Sequence, residues 1–173
     1  MEQPDRSTGP EWLFSFPWER LGDIAFRLLA CAACRRIWHL LPQGYRAAVE
    51  MAEQYAEGCA SEDELVSALE AARAECPFDP GGRTNGERAP SFARAAVVAA
   101  CGVREDLRYA LEAAAVAAAF AAHPGELEYG NNSAAYGVHH GNDPNNRWLA
   151  ERDREYGFLL GLAQSVLGRA RPG

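Results

Sequence analysis

The chain has 173 residues, of which 48% are hydrophobic and 24% are charged, and its net charge is −7. A chain of this length suits one domain that can bury a core without a metal or disulfides. The acidic balance disfavours a general nucleic-acid binder, and no apolar run is long enough to predict a membrane span. All 17 basic residues are arginine, which excludes lysine chemistry such as a Schiff base or a P-loop.

The first nine residues are polar and lack the basic start and apolar core of a signal peptide. We expect residues 1–9 to be disordered, residues 10–170 to form a single helical domain, and the protein to be cytoplasmic. Residues 11–16 are too apolar for a free tail. They predict a short helix or turn that docks on the domain, with a peptide-docking motif as the alternative. The five cysteines are expected to be free thiols.

A long helix is predicted from Trp18 to Leu41, where Pro42 ends it. Its middle, residues 28–34, is a run of seven apolar residues, and this predicts a helix buried on several sides. Arg36 and His39 fall on its broad apolar side and therefore need partners if they are buried. Acidic residues of the next two helices are the expected partners.

Those next two helices carry most of the net negative charge of the chain. The first is predicted from Tyr45 to Glu57, with Gly58 as its C-terminal stop. The second begins with a capping box, in which Ser61 is the N-cap and Glu64 lies three residues on. Residues 42–76 hold two arginines against eight acids, a balance of −6 that predicts an acidic face.

Three further helices are predicted in the second half of the chain. A loop is predicted at 77–90, and Ser91 is the expected N-cap of a helix that reaches Cys101. An alanine-rich helix follows at residues 104–122, a turn-rich loop at 124–146, and a last helix at 147–167. No segment alternates as a strand does. The predicted fold is therefore an all-α bundle of five to six helices around the buried helix at 18–41.

The pair Cys31 and Cys34 is the first candidate for chemistry. Thiolates at this spacing can bind zinc or act in redox reactions. A structural zinc needs four ligands, however, and the other cysteines are scattered singly, so core packing is the favoured interpretation. His139 and His140, near Asp143, are a second and weaker candidate for a metal. No catalytic residues and no cofactor are predicted, and no nucleotide or metal-binding motif is present.

Two groups of residues are candidates for interactions. Aromatic residues and histidines in and beside the predicted loop at 124–146 suit protein contacts, although a solvated loop is the simpler interpretation. They are Tyr129, Tyr136, His139, His140 and Trp148. Arg35 and Arg36 could clamp a phosphate, but pairing with the acidic face of the next two helices is favoured.

The stretch from Arg27 to Pro42, Arg-Leu-Leu-Ala-Cys-Ala-Ala-Cys-Arg-Arg-Ile-Trp-His-Leu-Leu-Pro, carries a resemblance, together with residues 46–58 and the cap at 61–65. It resembles the N-terminal helical region of an uncharacterised protein family of planctomycete-type bacteria. The resemblance covers roughly residues 12–74. It implies an α-helical bacterial protein, and it implies no activity, because that family has no assigned catalytic residues.

The sequence therefore favours a non-enzymatic helical interaction module, an accessory subunit of a larger bacterial complex with an unidentified protein partner and no membrane association. One alternative is a metal- or thiol-dependent domain that uses Cys31, Cys34 and His39, or the His139–His140 loop. Another is a helical subunit that contacts nucleic acid within a complex. It would require the arginines of the first and last helices, each stretch net positive by two, to share one face.

Overall fold

The computed structural model describes residues 17–76, 84–124 and 147–169. Within these ranges it contains six α-helices and two short 3-10 turns, and the predicted all-α bundle is confirmed. The helices are α1 (Asp23–Arg36), α2 (Gln43–Ala56), α3 (Glu62–Glu75), α4 (Asn85–Cys101), α5 (Arg104–Ala122) and α6 (Arg147–Arg169). The turns, at Trp18–Arg20 and Trp38–Leu40, flank α1 on either side.

The helix predicted at 18–41 is shorter than expected, because both of its ends are 3-10 turns separated from α1. Gly22 has an extended backbone and serves as the N-cap, so that α1 begins only at Asp23. At the other end, the Ile37 N–H bonds to the Cys34 carbonyl in a tighter turn, which ends the regular helix at Arg36. These breaks let the flanking aromatic residues turn back onto the bundle, where Trp18 stacks on Phe26.

Helix α1 packs against four other helices, α2, α4, α5 and α6, and thus lies at the centre of the bundle. The residues from Leu29 to Cys34 are buried except for Ala32. Before Arg27 the helix is amphipathic, and Ile24 is exposed to solvent. The burial that the apolar run predicts on several sides of the helix is therefore observed from Leu29 onward.

The acidic helices α2 and α3 have the predicted caps. The Ser61 hydroxyl accepts a bond from the Glu64 N–H, and the Glu64 carboxylate accepts one from the Ser61 N–H, so the capping box is complete. Gly58 follows α2 with a φ of 74°, a left-handed conformation that glycine adopts without strain. The end of α2 and the start of α3 could be predicted because each depends on residues close to it in sequence.

The predicted start of the fourth helix is wrong. Helix α4 begins at Asn85, seven residues before the first position predicted after Ser91, and Thr84 is its N-cap, in a second capping box with Glu87. Residues 85–90 of the predicted loop are therefore helical, and Pro90 lies inside the helix. The Ser91 hydroxyl accepts a bond from the guanidinium of Arg94 one turn on.

The most extensive helix pair is formed by α4 and α5, which are joined by the short connection at Gly102–Val103. Alanine side chains are small, so they permit close approach of the two backbones. The alanines buried in these two helices are Ala89, Ala93, Ala96, Ala99, Ala100, Ala110, Ala113, Ala114, Ala115, Ala117 and Ala119. Leu107, Leu111 and Phe120 supply the bulk of the core here.

Several predictions lie outside the described residues: those for residues 1–9 and 11–16, for 77–83, and for nearly all of the loop at 124–146. In the part of the chain that is described, none of the helices is both long enough and apolar enough to cross a membrane.

Candidate functional site

The thiols of Cys31 and Cys34 lie in the core. Both side chains have no exposed surface. Burial raises the pKa of Cys31 to about 12 and that of Cys34 well above its ordinary value, and the neighbouring thiol of Cys101 adds to both effects. The Cys101 thiol itself donates a bond to the Ala48 carbonyl at 3.6 Å. Thiols that are held neutral by burial are poor nucleophiles and poor metal ligands, so this geometry agrees with the packing interpretation.

His39 does not join the two cysteines. Its side chain is exposed on the turn after α1, whereas Cys31 and Cys34 are fully buried. Among residues 17–76, 84–124 and 147–169, no three His, Cys, Asp or Glu side chains are grouped so that they could hold a metal ion. The combination of Cys31, Cys34 and His39 is therefore not assembled as a site.

Arg35 pairs with the acidic face of α2, as the sequence predicts. Its guanidinium donates two bonds to the Glu53 carboxylate, at 2.6 and 3.0 Å, and it lies 3.8 Å from Glu50. The same guanidinium stacks on the Trp38 ring, 4.0 Å from its centroid. These contacts raise the pKa of Arg35, chiefly through the bonds to Glu53. Arg35 stays at the surface, where it links the end of α1 to α2.

Arg36 has a different partner from the predicted one. It reaches the last helix instead of α2 or α3, and it donates two bonds to the Glu155 carboxylate, at 2.5 and 2.7 Å. Its guanidinium also lies 4.0 Å from the centroid of the Phe158 ring, one turn along α6. The Glu155 side chain is only 10% exposed, so this ion pair anchors α6 to α1. The exposed position of His39 means that it needs no buried partner.

The remaining interaction candidates cannot be placed. Tyr129, Tyr136, His139 and His140 lie outside the described residues. Trp148 belongs to the first turn of α6, but its side chain is also outside the description. Their suggested roles in protein contact or metal binding stay predictions.

Most arginines of the first and last helices are used inside the fold. Arg27 donates bonds to the carbonyls of Ala100 and Gly102, at 2.7 and 2.9 Å, where α4 ends. Arg152 and Arg154 pair with Asp153 and Glu151 on their own helix. In the described part of the chain, guanidinium groups that are bound in this way do not form the continuous basic face that nucleic-acid binding requires.

A surface groove, here called the terminal groove, lies where α1 begins and α2 ends. It has a volume of about 450 Å³. Arg27 lines the groove, and its guanidinium lies over the Tyr55 ring. Leu107 of α5 also lines the groove. Asp23 and Glu57 line it with carboxylates.

Exposed apolar side chains accompany the terminal groove. Ile24 lines it and is 62% exposed, and Val103 is 64% exposed. Val103 does not line the groove, but it directly follows Gly102, whose carbonyl accepts a bond from Arg27. These are the two most exposed large hydrophobic side chains in the described part of the chain.

A second depression, here called the interhelical cleft, lies between α2, α3, α4 and α5 and has a volume of about 520 Å³. Its apolar lining comes from Ala95, Val98 and Ala99 on one face of α4, at i, i+3 and i+4 spacing. The other lining residues are aromatic or charged: Tyr45, Arg73, Asp106 and Tyr109. The Tyr45 hydroxyl donates a bond to the Cys76 carbonyl at 3.0 Å, which fixes the ring.

Sequence reasoning missed the residues of both depressions. The helical period places Tyr45 and Tyr55 on the apolar face of α2, and both pack against the core. The stripe of small side chains on α4 is the sequence signal that could have indicated the cleft. The space beside such a stripe stays empty unless a neighbouring helix places large side chains in it.

No protein-family model matches the chain, and neither a curated protein nor a solved structure was found to be similar to it.

Proposed function

We propose that this chain is a non-enzymatic α-helical interaction module that acts as an accessory subunit of a cytoplasmic bacterial complex. The observation that supports the proposal is the terminal groove, whose lining includes the strongly exposed aliphatic side chain of Ile24. An exposed aliphatic side chain in a groove that also carries aromatic and charged residues is typical of partner-binding surfaces.

The charges around the groove indicate the kind of partner. Asp23 of α1 and Glu57 at the end of α2 line it, and Glu57 belongs to the acidic stretch at 42–76, which has a balance of −6. The donors of Arg27 are taken up by the carbonyls at the end of α4. The occupant that fits is an amphipathic segment of another protein, with apolar residues for the groove and basic residues on its flanks.

The test is affinity capture from the encoding organism with point variants of the intact chain. Ile24→Glu places a charge in the groove and should abolish capture of a stoichiometric partner. Val66→Glu is the matched control, because Val66 is an exposed aliphatic residue on α3, 48% exposed, that does not line the groove. This variant should retain the partner.

Charge reversal at the rim tests the chemistry of the partner. Glu57→Arg should weaken the interaction about tenfold, the effect of about 1.4 kcal/mol, and the loss should shrink as salt is added. The proposal fails if the native chain captures no stoichiometric partner, or if Ile24→Glu and Val66→Glu capture the same partner equally.

The resemblance of the Arg27–Pro42 stretch to a planctomycete-type family belongs to this proposal and supports only its bacterial setting. The contacts of the cysteines and arginines described above favour neither the metal- or thiol-dependent alternative nor the nucleic-acid alternative. A single protein-binding role therefore stands as the proposed function.

A further inference from the structure

We propose that the interhelical cleft binds a small amphipathic carboxylate, with the anionic end beside Arg73 and the apolar body against α4. This inference does not depend on the proposed partner surface, because the cleft and the terminal groove share no lining residue. Either proposal can therefore fail without the other.

The shape of the cleft suits a small molecule. Its volume of about 520 Å³ falls within the range of roughly 300–1,000 Å³ that ligand pockets occupy. One wall is aliphatic, with Ala95, Val98 and Ala99 presenting small side chains in a row. Tyr45, whose hydroxyl is tied to the Cys76 carbonyl, and Tyr109 add aromatic surface. A short acyl or aryl group would bury its apolar surface here.

Two arginines near the cleft carry positive charge that the described residues do not neutralise. Arg94 is 8% exposed, it bonds to the Ser91 hydroxyl at 3.0 Å, and its Nε has no partner. Neither Arg94 nor Arg73 forms an ion pair with any residue in the described ranges. A buried guanidinium without a counter-charge is unfavourable, so an anion bound nearby is stabilised.

Both guanidinium groups act on the phenol of Tyr45. Burial raises the pKa of Tyr45, and the positive charges of Arg94 and Arg73 act in the opposite direction. The two arginines therefore lie close to the ring that lines the cleft. Arg73 itself lines the cleft, on an exposed part of α3, and can reach a ligand at the mouth.

A carboxylate is the anion that this arrangement fits, because a planar guanidinium can bind it with two parallel hydrogen bonds. Asp106 lines the same cleft from α5 and repels an anion. The carboxylate is therefore directed toward Arg73, and the apolar body lies along α4.

The experiment titrates the intact chain with octanoate and follows the amide resonances by two-dimensional NMR. Saturable shifts are expected at Ala95, Val98, Ala99 and Tyr109. Octanol, which has the same length without the charge, should bind at least tenfold more weakly. Arg73→Ala should weaken octanoate binding about tenfold, whereas Arg20→Ala, the control at an exposed arginine outside the cleft, should leave it unchanged.

A filling variant separates a ligand site from a packing gap. Ala95 is only partly buried, so Ala95→Leu can enter the cleft with little disturbance of the fold, and it should abolish octanoate binding while the helical circular dichroism is retained. The inference is overturned if octanoate gives no saturable shifts, if octanol binds equally well, or if Ala95→Leu and Arg73→Ala bind octanoate as the native chain does.

Discussion

At the scale of single residues, burial decides what the cysteines can do. The spacing of Cys31 and Cys34 can serve redox or metal-binding chemistry, but Cys31, Cys34 and Cys101 are buried in the core. Cys59 is exposed, and Cys76 is of intermediate burial at the end of α3. The same side chain therefore occurs in two environments, and these should differ in reactivity by a large factor because thiolate is the reactive species.

Alkylation of the native protein tests this difference. With iodoacetamide near neutral pH, Cys59 should be modified first, and Cys31, Cys34 and Cys101 should be modified only as fast as the chain unfolds. Mass-spectrometric mapping of the modified sites over time measures both rates, and the fully denatured chain is the control. Modification of Cys31 or Cys34 at the rate of Cys59 would contradict the buried placement.

Polar residues on an apolar face show how far residue-level prediction reaches. The helical period alone indicated that Arg36 needs a partner, and it has one in Glu155. The same period placed His39 on that face too, but the helix ends at Arg36 and His39 is exposed. Sequence could state the need for a partner. It could not identify one, because that partner lies on a helix distant in sequence and brought near only by the tertiary fold.

At the scale of helices, boundaries set by local chemistry were predictable and one set by competing signals was not. The Ser61 capping box and Gly58 fixed two ends correctly. For α4, Pro90 and Asn85-Gly86 indicated a loop, and Ser91 was predicted as the N-cap. Thr84 and Glu87 form the same capping box earlier in the chain, and this cap together with packing of Ala89 keeps Pro90 within the helix.

The ion pair between Arg36 and Glu155 should hold α6 against α1. A double-mutant cycle with Arg36→Ala and Glu155→Ala should give a coupling energy of about 1–3 kcal/mol, because the carboxylate is largely buried and accepts two charged bonds. The free energy of unfolding in urea is the measurement.

Arg35 and Glu53 provide the matched control pair. They also form two hydrogen bonds, but their side chains are 41% and 28% exposed. Their coupling energy should be below about 1 kcal/mol. Equal coupling in the two cycles would show that the contact between α1 and α6 is no stronger than a surface pair.

At the scale of the whole molecule, the sequence predicted the fold class but neither the terminal groove nor the interhelical cleft. Apolar periodicity and caps were enough for an all-α bundle. The terminal groove and the interhelical cleft arise from how α1, α2 and α3 sit on the α4–α5 pair. Alanine side chains allow close helix packing at some positions and leave a cleft at others, as at Ala95. The positions of the neighbouring helices decide between close packing and a cleft.

Stability of the whole chain should fall in alkaline solution. The pKa values of Cys31 and Cys101 rise from 9.0 to about 12 on folding, because burial disfavours the thiolate. A raised folded-state pKa contributes stability that is fully present below the unfolded value and is lost as the pH rises from 9.0 toward 12. Each such thiol should remove about 1.4 kcal/mol per pH unit in that window.

Guanidinium denaturation across this window, under reducing conditions, measures the slope. The control replaces Cys31, Cys34 and Cys101 with alanine; it should be less stable at neutral pH and should lose stability less steeply in alkali. Buried Tyr156, whose pKa is also raised, accounts for part of the slope that remains. If the free energy of unfolding falls equally steeply with pH in both proteins, groups other than these three thiols cause the loss of stability in alkali.

The bond between Arg36 and Glu155 joins positions that are 119 residues apart. During synthesis at about 5–20 residues per second, Arg36 waits on the order of ten seconds before its partner has been made. The five helices from α1 to α5 can associate in that interval, while the surface of α1 that later receives α6 stays open. For this period the nascent chain is a bundle of five helices without the Arg36–Glu155 ion pair. A chaperone could bind it in this state, and premature termination of synthesis would leave the chain in it.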